Sequence, residues 1–515
     1  MRTPQIIVVL LLALVLGVPF IMSAGKHGAT HSAEGPTLIV VTPHVPQIRE
    51  EFAYAFSRWH EREHGEPATI DYRTPGGTSE IRKQLEAMFV DAVKRAVNEQ
   101  GLDAVGTEHP VLEPGSISFD IMFGGGSYDH TRLKRGISVR VGDSATVDVR
   151  MAKPMDFTQR ELDAIYGPNV IGPQKLYDPD QYWMGTALSS FGIVYNRDVY
   201  RDRLGLPTPE QFRDLTEPEL WGWVALADPR QSGSITTTFD SILGNEGWEE
   251  GWRILRGLCG NTRYFTNSST KPPIDVSQGE AAAGLAIDFY GRGQAQVIKD
   301  SGGGDRVGYT DPAGSVYVDA DPVTIINGGP NPELARRFVR FCLTEEAQAL
   351  WQFERDNPDN PIGPSGEPMG PEWHELRRMP VRRSMYERYF PSFVDRVNPF
   401  EIVSDVENPG WRTGVQVMMG TFGIDIADEC RAAYRALHRA RASDAFSAGE
   451  IAELEDLYFA FPETEIDGEM VPFTEETYRT VRNAWRSRQA ELEIRYTRFY
   501  QRNYREIVRI VKDRL

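Results

Sequence analysis

Cysteine is scarce in this sequence. Its 515 residues include only Cys259, Cys342 and Cys430, and no two of them form a C-x-x-C pair. A zinc ribbon or a redox dithiol is therefore not indicated. One disulfide bond at most can form, so at least one thiol is left over.

Motifs of several enzyme classes are also missing. The sequence contains no Walker loop, no spaced-glycine dinucleotide fingerprint and no G-x-S-x-G nucleophile elbow. One pattern, His60-Glu61-x-x-His64, matches the zinc-peptidase motif, but no third ligand follows it. Because the helix dipole favours histidines near a helix C-terminus, we interpret this pair as an ordinary helix end.

Positive charge is in short supply and unevenly placed. The chain has 56 Lys and Arg against 74 Asp and Glu, a net charge of −18. Nucleic acid is therefore not expected as a main partner, since binding its phosphates needs a basic surface. Residues 478–515 are the exception, with eleven Lys and Arg against four Asp and Glu. This basic stretch either contacts anionic lipid or a partner protein, or packs against the acidic body of the same chain, which is the interpretation we prefer.

Long hydrophobic runs are absent beyond the N-terminus. Residues 6–22 carry no charge and are followed by Ser23-Ala24-Gly25, a pattern typical of a secretory signal. Residues 1–25 are thus predicted to be a cleaved signal peptide or a retained membrane anchor, and residues 26–36 a polar tether. No cysteine follows the run, which excludes a lipoprotein anchor. The rest of the chain is expected outside the cytoplasmic membrane, in the periplasm or an equivalent space.

What the sequence does contain is a series of strands that run into helices through turns of glycine and serine. "TLIVVTP" (residues 37–43), the helical pattern after it and "GEPATIDYRT" form a βαβ unit, which predicts a parallel sheet. Gly- and Ser-rich turns follow strands at residues 75–79, 124–127 and 232–234. In α/β sheets ligands bind where such turns gather, and the free N–H groups of a helix N-terminus favour anions. The alternative is three helix caps with nothing bound.

Several ordered motifs resemble those of one known family. They are "WMGTALSSFGIVYNRD" (residues 183–198), "LADPRQSGS" (226–234), "FTNSS" (265–269), "GEAAAGLAIDFYGR" (279–292), "DADPVTIINGGPNPELARRFVRFCLTEEAQ" (319–348) and "MPVRRSMY" (379–386). Together they resemble the extracellular solute-binding proteins of ATP-binding-cassette importers (family 1, type 2 periplasmic binding proteins), nearest the branch that binds ferric iron or aminoethylphosphonate. The likeness covers roughly residues 37–440.

The resemblance implies an α/β clamshell of two lobes with a helical C-terminal extension. The first lobe is expected to comprise residues 37–195 with 315–365, the second residues 196–314 with 366–440, and the basic helical extension residues 441–515. "SSFGIVYN" and the region of residues 312–323 would cross between the lobes as a hinge. Such proteins close around a ligand held in the cleft.

The resemblance also implies a set of ligand-binding residues. The first lobe and the hinge would contribute His44, Gly76, Gly77, Thr78, Gly125, Gly126, Ser127, Ser189 and Ser190. The second lobe would contribute Asp228, Ser232, Gly233, Ser234, Asn267, Ser268, Asp288 and Tyr290. Asp228 precedes a proline, so the alternative for it is a turn-forming aspartate.

Ferric iron is the less favoured ligand. Ferric members commonly hold the metal with two adjacent tyrosines, whereas here the corresponding residues are Asp288, Phe289 and Tyr290. A smaller site from Tyr290, Asp288 and His44 stays open, with iron as cargo and no resident cofactor. An anionic or zwitterionic organic solute such as a phosphonate fits the donor-rich turns better.

The function that we expect is solute capture for import rather than catalysis. The partners would be the small cargo and the permease of an importer, and the N-terminal segment would add contact with the membrane if it is retained. The alternative is a membrane-anchored sensor or adaptor that uses the same clamshell. Fold alone does not choose among possible ligands.

Overall fold

The computed structural model describes residues 35–142, 145–312, 314–407 and 409–515. The predicted signal peptide or anchor, and nearly all of the predicted tether, lie outside these residues. Within the described ranges, no helix combines the length and the apolar character that a membrane span requires.

Fifteen strands are present in the described part of the chain. They are β1 (Thr37–Val41), β2 (Thr69–Arg73), β3 (Ile121–Phe123), β4 (Ile137–Val141), β5 (Ala145–Val149), β6 (Ala152–Lys153), β7 (Met184–Asn196), β8 (Val224–Ala227), β9 (Thr262–Thr266), β10 (Ala283–Ile287), β11 (Val307–Thr310), β12 (Val318–Ile326), β13 (Met379–Pro380), β14 (Thr464–Ile466) and β15 (Glu469–Val471).

The α-helices surround the sheet. They are α1 (Pro46–His64), α2 (Thr78–Gln100), α3 (Leu102–Val105), α4 (Ser127–Arg135), α5 (Gln159–Tyr166), α6 (Gly233–Glu246), α7 (Trp248–Asn261), α8 (Lys271–Ser277), α9 (Asp288–Ile298), α10 (Pro332–Cys342), α11 (Glu345–Ala349), α12 (Arg383–Tyr389), α13 (Pro399–Ile402), α14 (Arg412–Met419), α15 (Ala427–Arg441), α16 (Ala448–Phe459) and α17 (Tyr478–Lys512). Short 3-10 or π turns lie at Val199–Leu204, Phe212–Thr216, Pro218–Leu220, Lys299–Gly303, Phe390–Ser392 and Gly420–Ile424.

One long strand joins two halves of the main sheet, whose order is β2-β1-β3-β12-β7-β10-β8-β9. Residues 184–190 of β7 pair with β12, whereas residues 191–195 pair with β10, both antiparallel. The chain crosses a second time between β11, which pairs with the end of β7, and β12. We call β1 to β3, β6, β12 and the first part of β7 the first lobe, and β8 to β11 with the rest of β7 the second lobe. The α/β fold with two lobes is therefore confirmed.

Each lobe has its own hydrophobic core. The first is built around β1, α1 and β3 by side chains such as Leu38, Phe52 and Phe123. The second is built around β8, α6 and α7 by side chains such as Leu226 and Trp252. All thirteen residues of β7 are buried, because the strand is covered on both faces where it passes from one core to the other.

The C-terminal segment is part of the second core. Trp485, Leu492, Tyr496 and Tyr500 of α17 lie in the same cluster as the β8 and α7 side chains. The segment packs against the body of the chain through its apolar face. The expectation of a purely helical segment is wrong, because β14 and β15 form an antiparallel hairpin in it. An Asp-Gly pair at residues 467–468 makes the turn, with positive φ at both positions, as the two-residue hairpin turn requires.

A buried arginine fastens this segment to the second lobe. Arg256 of α7 is 1% exposed, and its guanidinium donates hydrogen bonds to the carbonyls of Tyr458 and Ala460. It also lies 4.5 Å from the ring centre of Phe422 and 4.7 Å from that of Tyr500. Carbonyl acceptors and aromatic faces thus take the place of a carboxylate partner.

Residues 366–440, predicted for the second lobe, divide between the cores. Leu376, Met379 and Val381 belong to the first core, and β13 pairs with residues 187–188 of β7. Only later residues, such as Val415 and Leu437, belong to the second core. The lobe boundaries stay a prediction, and this packing favours a boundary after residue 403.

Candidate functional site

The three Gly- and Ser-rich turns lie where the sequence predicts, between strands and helix N-termini. Residues 75–79 connect β2 to α2, residues 124–127 connect β3 to α4, and residues 232–234 open α6 after β8. β1 is parallel to β2 and β3, and β8 is parallel to β9 and β10. The turns of each lobe therefore share one sheet edge.

The N-termini of α2, α4 and α6 meet where the two lobes face each other. A side-chain carbon placed on Gly125 would lie 2.5 Å from Cγ2 of Thr78. One placed on Gly233 would lie 3.8 Å from Oγ of Ser79, across the gap between the lobes. Gly125 also has φ of +106°, a value that residues with side chains rarely adopt. Glycine is thus required where α2 and α4 approach most closely.

These three helix ends differ in charge. Ser127 N–H, at the start of α4, donates to Oδ2 of Asp319 at 3.1 Å. Gly77 N–H, at the start of α2, donates to Oε2 of Glu80 at 3.2 Å. In contrast, the cap of α6 is the neutral hydroxyl of Ser232, which accepts from Ile235 N–H at 3.5 Å. The N-terminus of α6, which we call the end of α6 below, is therefore the best placed of the three to receive another anion.

An arginine stands beside the end of α6. Nη2 of Arg412 donates to the carbonyl of Gly233 at 3.0 Å, and its guanidinium lies 5.2 Å from the ring centre of Tyr128 on α4. Among the described residues, no carboxylate lies within ion-pair distance of this guanidinium. Arg412 therefore adds a positive charge without a direct ion pair from the second lobe, and it touches the first lobe as well.

Asp319 supplies an acceptor at the same place. It is 7% exposed, and burial raises its pKa from 3.8 to about 6. Its Oδ1 has no hydrogen-bond partner among the described residues. Burial also raises the pKa of Tyr317, and the charges of Asp319 and Arg412 both act on this phenol. The site thus combines hydrogen-bond donors that suit an anion with a buried carboxylate oxygen that can accept a hydrogen bond.

The other turns of the second lobe surround the end of α6. Ser234 Oγ lies 3.3 Å from Oγ of Ser269, and Ser268 Oγ lies 2.8 Å from Oγ1 of Thr270. Asn267 is exposed beside them. Asp228 adopts the alternative role of a turn-forming aspartate, since its carboxylate accepts from the backbone N–H of Arg230 at 2.8 Å and pairs with that residue's guanidinium.

Two of the three residues considered for iron, His44 and Asp288, are bound to protein side chains. His44 is buried, and its Nε2 lies 3.0 Å from Nη1 of Arg378 and 3.3 Å from Oδ2 of Asp321. Burial lowers the pKa of His44. Asp288 Oδ2 lies 3.3 Å from Nη1 of Arg292, and burial raises the pKa of Tyr290 to about 12. In the described ranges, no group of three or more His, Cys, Asp or Glu side chains is placed to hold a metal ion.

Sequence reasoning missed a buried charge network beside the hinge. Arg378 pairs with Asp321 and donates to Ser189 Oγ at 2.5 Å. Arg292 pairs with Asp288 and, at 2.5 Å, with Asp311, which also accepts from Ser190 Oγ. Ser189 and Ser190 thus bind protein groups in this structure. The sequence pattern that could have predicted this network is the pair Asp319 and Asp321 in the mostly apolar strand β12, because buried carboxylates need partners.

The zinc-peptidase pattern on α1 has no free ligand nitrogen on its first histidine. His60 Nδ1 lies 2.7 Å from the carbonyl of Glu66, and its Nε2 lies 3.1 Å from Nη1 of Arg337. Both ring nitrogens are engaged, which agrees with an ordinary helix end.

Comparison with known proteins agrees with this arrangement. Residues 152–372 match the family model described as bacterial extracellular solute-binding protein. This part of the chain is therefore similar to bacterial extracellular solute-binding proteins. The matched residues include the hinge strands β7 and β12, the turn at the end of α6 and Asp319.

Two curated relatives and one solved structure are similar to parts of this chain. The chain is 25% identical over 167 residues to the phosphoglycerate transport regulatory protein PgtC of Salmonella typhimurium, covering 32% of this chain and 40% of PgtC. It is 24% identical over 200 residues to iron uptake protein A1 of Synechocystis, covering 37% of this chain and 52% of the relative. The chain thus spans about half or less of each relative. Iron-bound HitA from Pseudomonas aeruginosa has a TM-score of 0.47 at 16% identity, covering 74% of this chain and 98% of HitA.

Proposed function

We propose that this protein captures a small organic anion between its two lobes and delivers it to the permease of an ATP-binding-cassette importer. The observation that carries the proposal is the end of α6, where Gly233 and Ser234 lie beside Arg412 with no carboxylate cap. An anionic group there would accept hydrogen bonds from the helix N-terminus and from the guanidinium.

The carboxylate of Asp319, on the first-lobe side of the site, narrows the class of ligand. The unpartnered Oδ1 of Asp319 would accept a hydrogen bond from a hydroxyl or ammonium group of the same ligand. A phosphonate or organic phosphate that also carries such a donor satisfies both ends of the site. The name of the relative PgtC, which refers to phosphoglycerate, is compatible with a ligand of this kind.

Ligand would act by stabilising the closed arrangement of the lobes. Arg412 and the end of α6 belong to the second lobe, whereas Asp319 and Ser79 belong to the first. A ligand held by both sets gains contacts only when the lobes are together, so it shifts the population toward the closed state. The contact of Arg412 with Tyr128 would form at the same time.

Ferric iron is a second candidate, favoured by the names of the iron-binding relatives. It would require His44 and Asp288 to leave their present partners and Tyr290, whose pKa burial raises to about 12, to bind as a phenolate. We further propose that the chain acts outside the cytoplasmic membrane, with residues 1–25 as signal or anchor, and that it performs no catalysis.

The proposal can be tested by thermal unfolding with a panel of 2-aminoethylphosphonate, 3-phosphoglycerate, ferric iron and spermidine. A ligand present at a hundred times its Kd should stabilise the protein by about 2.7 kcal/mol. We expect a shift with one of the first two compounds, and its loss in Arg412→Ala. The matched control is Arg435→Ala, which removes an arginine that stacks on Trp221 of the same lobe.

Two outcomes would contradict the proposal. A shift with iron alone would replace the organic anion by the metal. An anion-induced shift that survives in Arg412→Ala would place the anion away from the end of α6.

A further inference from the structure

The basic residues of α17 contribute little to docking this helix on the acidic body of the chain. Among the described residues, Arg495 and Arg505 alone pair with carboxylates of other elements, Glu465 at 3.6 Å and Glu429 at 3.4 Å. Its apolar and aromatic face is buried in the second core. Four arginines lie on the opposite, exposed face, at spacings of four, three and four residues: Arg498, Arg502, Arg505 and Arg509. Such spacing aligns side chains along one side of a helix. The positive charge of Arg498 and Arg502 therefore remains available to another molecule.

These arginines line a groove between α16 and α17. The groove has a volume of about 650 Å³ and also includes Leu457 of α16 and Gln501 of α17. Asn503 donates to the carbonyl of Leu457 at 3.2 Å and so closes its floor. We call this feature the arginine groove.

Two of the four arginines in the arginine groove have no ion pair within the described part of the chain. Arg498 and Arg502 have no carboxylate within 4.0 Å among the described residues. Arg505 lies 3.4 Å from Glu429, and both side chains keep solvent contact. Only Arg509 is closely paired, with Glu506 at 2.6 Å and Asp513 at 3.1 Å. Exposed pairs of this kind contribute little to stability, so they can exchange for an external anion at small cost.

We propose that the arginine groove binds an acidic segment of a partner protein. Guanidinium groups bind carboxylates through paired hydrogen bonds, which favours Asp or Glu side chains in the groove. Eleven residues of helix separate its first and last arginines, a length of about 16 Å, which corresponds to about five residues of extended chain.

A membrane surface fits this feature less well. The arginines line a concave groove, which a flat lipid surface reaches less completely than a peptide does. The apolar face of α17 is buried in the protein, so the helix has none to insert between lipids, as interfacial helices do. A short acidic peptide therefore makes fuller use of the groove.

The test uses the full chain and a fluorescein-labelled hexaglutamate peptide, with binding followed by fluorescence anisotropy in 50 mM salt. We expect saturable binding that weakens at least tenfold in the double variant Arg498→Glu/Arg502→Glu. The matched control, Arg479→Glu/Arg486→Glu, makes the same charge change on exposed positions of α17 outside the groove and should weaken binding less than twofold. Circular dichroism and thermal unfolding of both variants verify that they fold.

Three results would overturn the proposal. They are absence of peptide binding in 50 mM salt, equal weakening in the two double variants, and binding to phosphatidylglycerol vesicles, but not to the peptide, that the groove variant alone loses. The second result would indicate general attraction by the helix, and the third a lipid contact. This test is independent of the solute-binding site, since it needs no transported ligand.

Discussion

Replacing Asp319 by asparagine should stabilise the protein at high pH while weakening ligand binding. The side chain is buried, its Oδ2 accepts from Ser127 N–H, and its Oδ1 has no partner in the described structure. An amide oxygen can still accept from Ser127. Asp319→Asn therefore removes the charge and keeps the cap of α4.

The size and sign of the effect follow from the pKa. Burial raises the pKa of Asp319 from 3.8 to about 6, so the folded protein binds this proton more tightly than the unfolded chain does. Its contribution to stability is present below about pH 4 and is lost as the pH rises through 6. A pKa shift of about two units, at 1.36 kcal/mol per unit, lowers the free energy of unfolding by about 3 kcal/mol at pH 8. Asparagine has no charge to bury, so the variant should equal the original near pH 4 and exceed it by up to about 3 kcal/mol at pH 8.

Urea unfolding without ligand at pH 4, 6 and 8 measures this difference, with the exposed Asp444→Asn as the control that should change nothing. Calorimetric titration with 2-aminoethylphosphonate measures the second effect. Loss of a charged hydrogen bond, worth about 1.5–3 kcal/mol, should raise Kd about 10- to 150-fold. A stability difference that is the same at all three pH values would refute the argument, because it would not come from ionisation of Asp319.

Three further substitutions test the packing. Gly124→Ala should lower the free energy of unfolding, measured in urea, by about 1–3 kcal/mol, because φ is +96° there and the new methyl would clash with the ring of His44. The control Gly449→Ala, which lies in open space on α16, should instead raise it by up to about 1 kcal/mol. Arg256→Met should lower the free energy of unfolding by about 2–5 kcal/mol, since two buried carbonyls lose their hydrogen-bond donors. Unchanged stability would show that water replaces the lost donors. Leu492→Ala should cost about 2–5 kcal/mol and shift one cooperative transition, whereas a separate transition for the C-terminal segment would contradict its place in the second core.

Local patterns predicted the turns well. Each of the three Gly- and Ser-rich turns lies between a strand and a helix, as the change from a short apolar run to helical spacing indicates. The family resemblance, rather than a local pattern, implied the hinge at "SSFGIVYN", and β7 does pair with strands of both lobes there. The three turns depend on residues that are close in sequence. The Asp-Gly turn at residues 467–468 is equally local, and the hairpin it forms went unrecognised because the segment was treated as helical throughout.

Contacts between side chains that are distant in sequence could not be predicted from local patterns. Arg378 contacts His44 and Asp321, and Arg292 contacts Asp311, but no spacing rule connects these positions. The sequence therefore offered His44 as a ligand without showing that an arginine engages it. Likewise the basic charge of α17 suggested docking on an acidic body, whereas the structure buries the opposite face.

The distribution of carboxylates, rather than the number of glycines, distinguishes the three helix ends. All three turns have the composition of anion-binding turns, and from sequence they were equivalent. Asp319 of β12 accepts from the N-terminus of α4, and Glu80 accepts from the N-terminus of α2, so a ligand anion at either N-terminus would meet a negative charge that already holds an N–H group. Only α6 combines a neutral cap with a neighbouring arginine. In the proposed binding mode, the chain's own carboxylates direct the anion to the N-terminus of α6, and the carboxylate of Asp319, which blocks α4, provides the acceptor for the other end of the ligand.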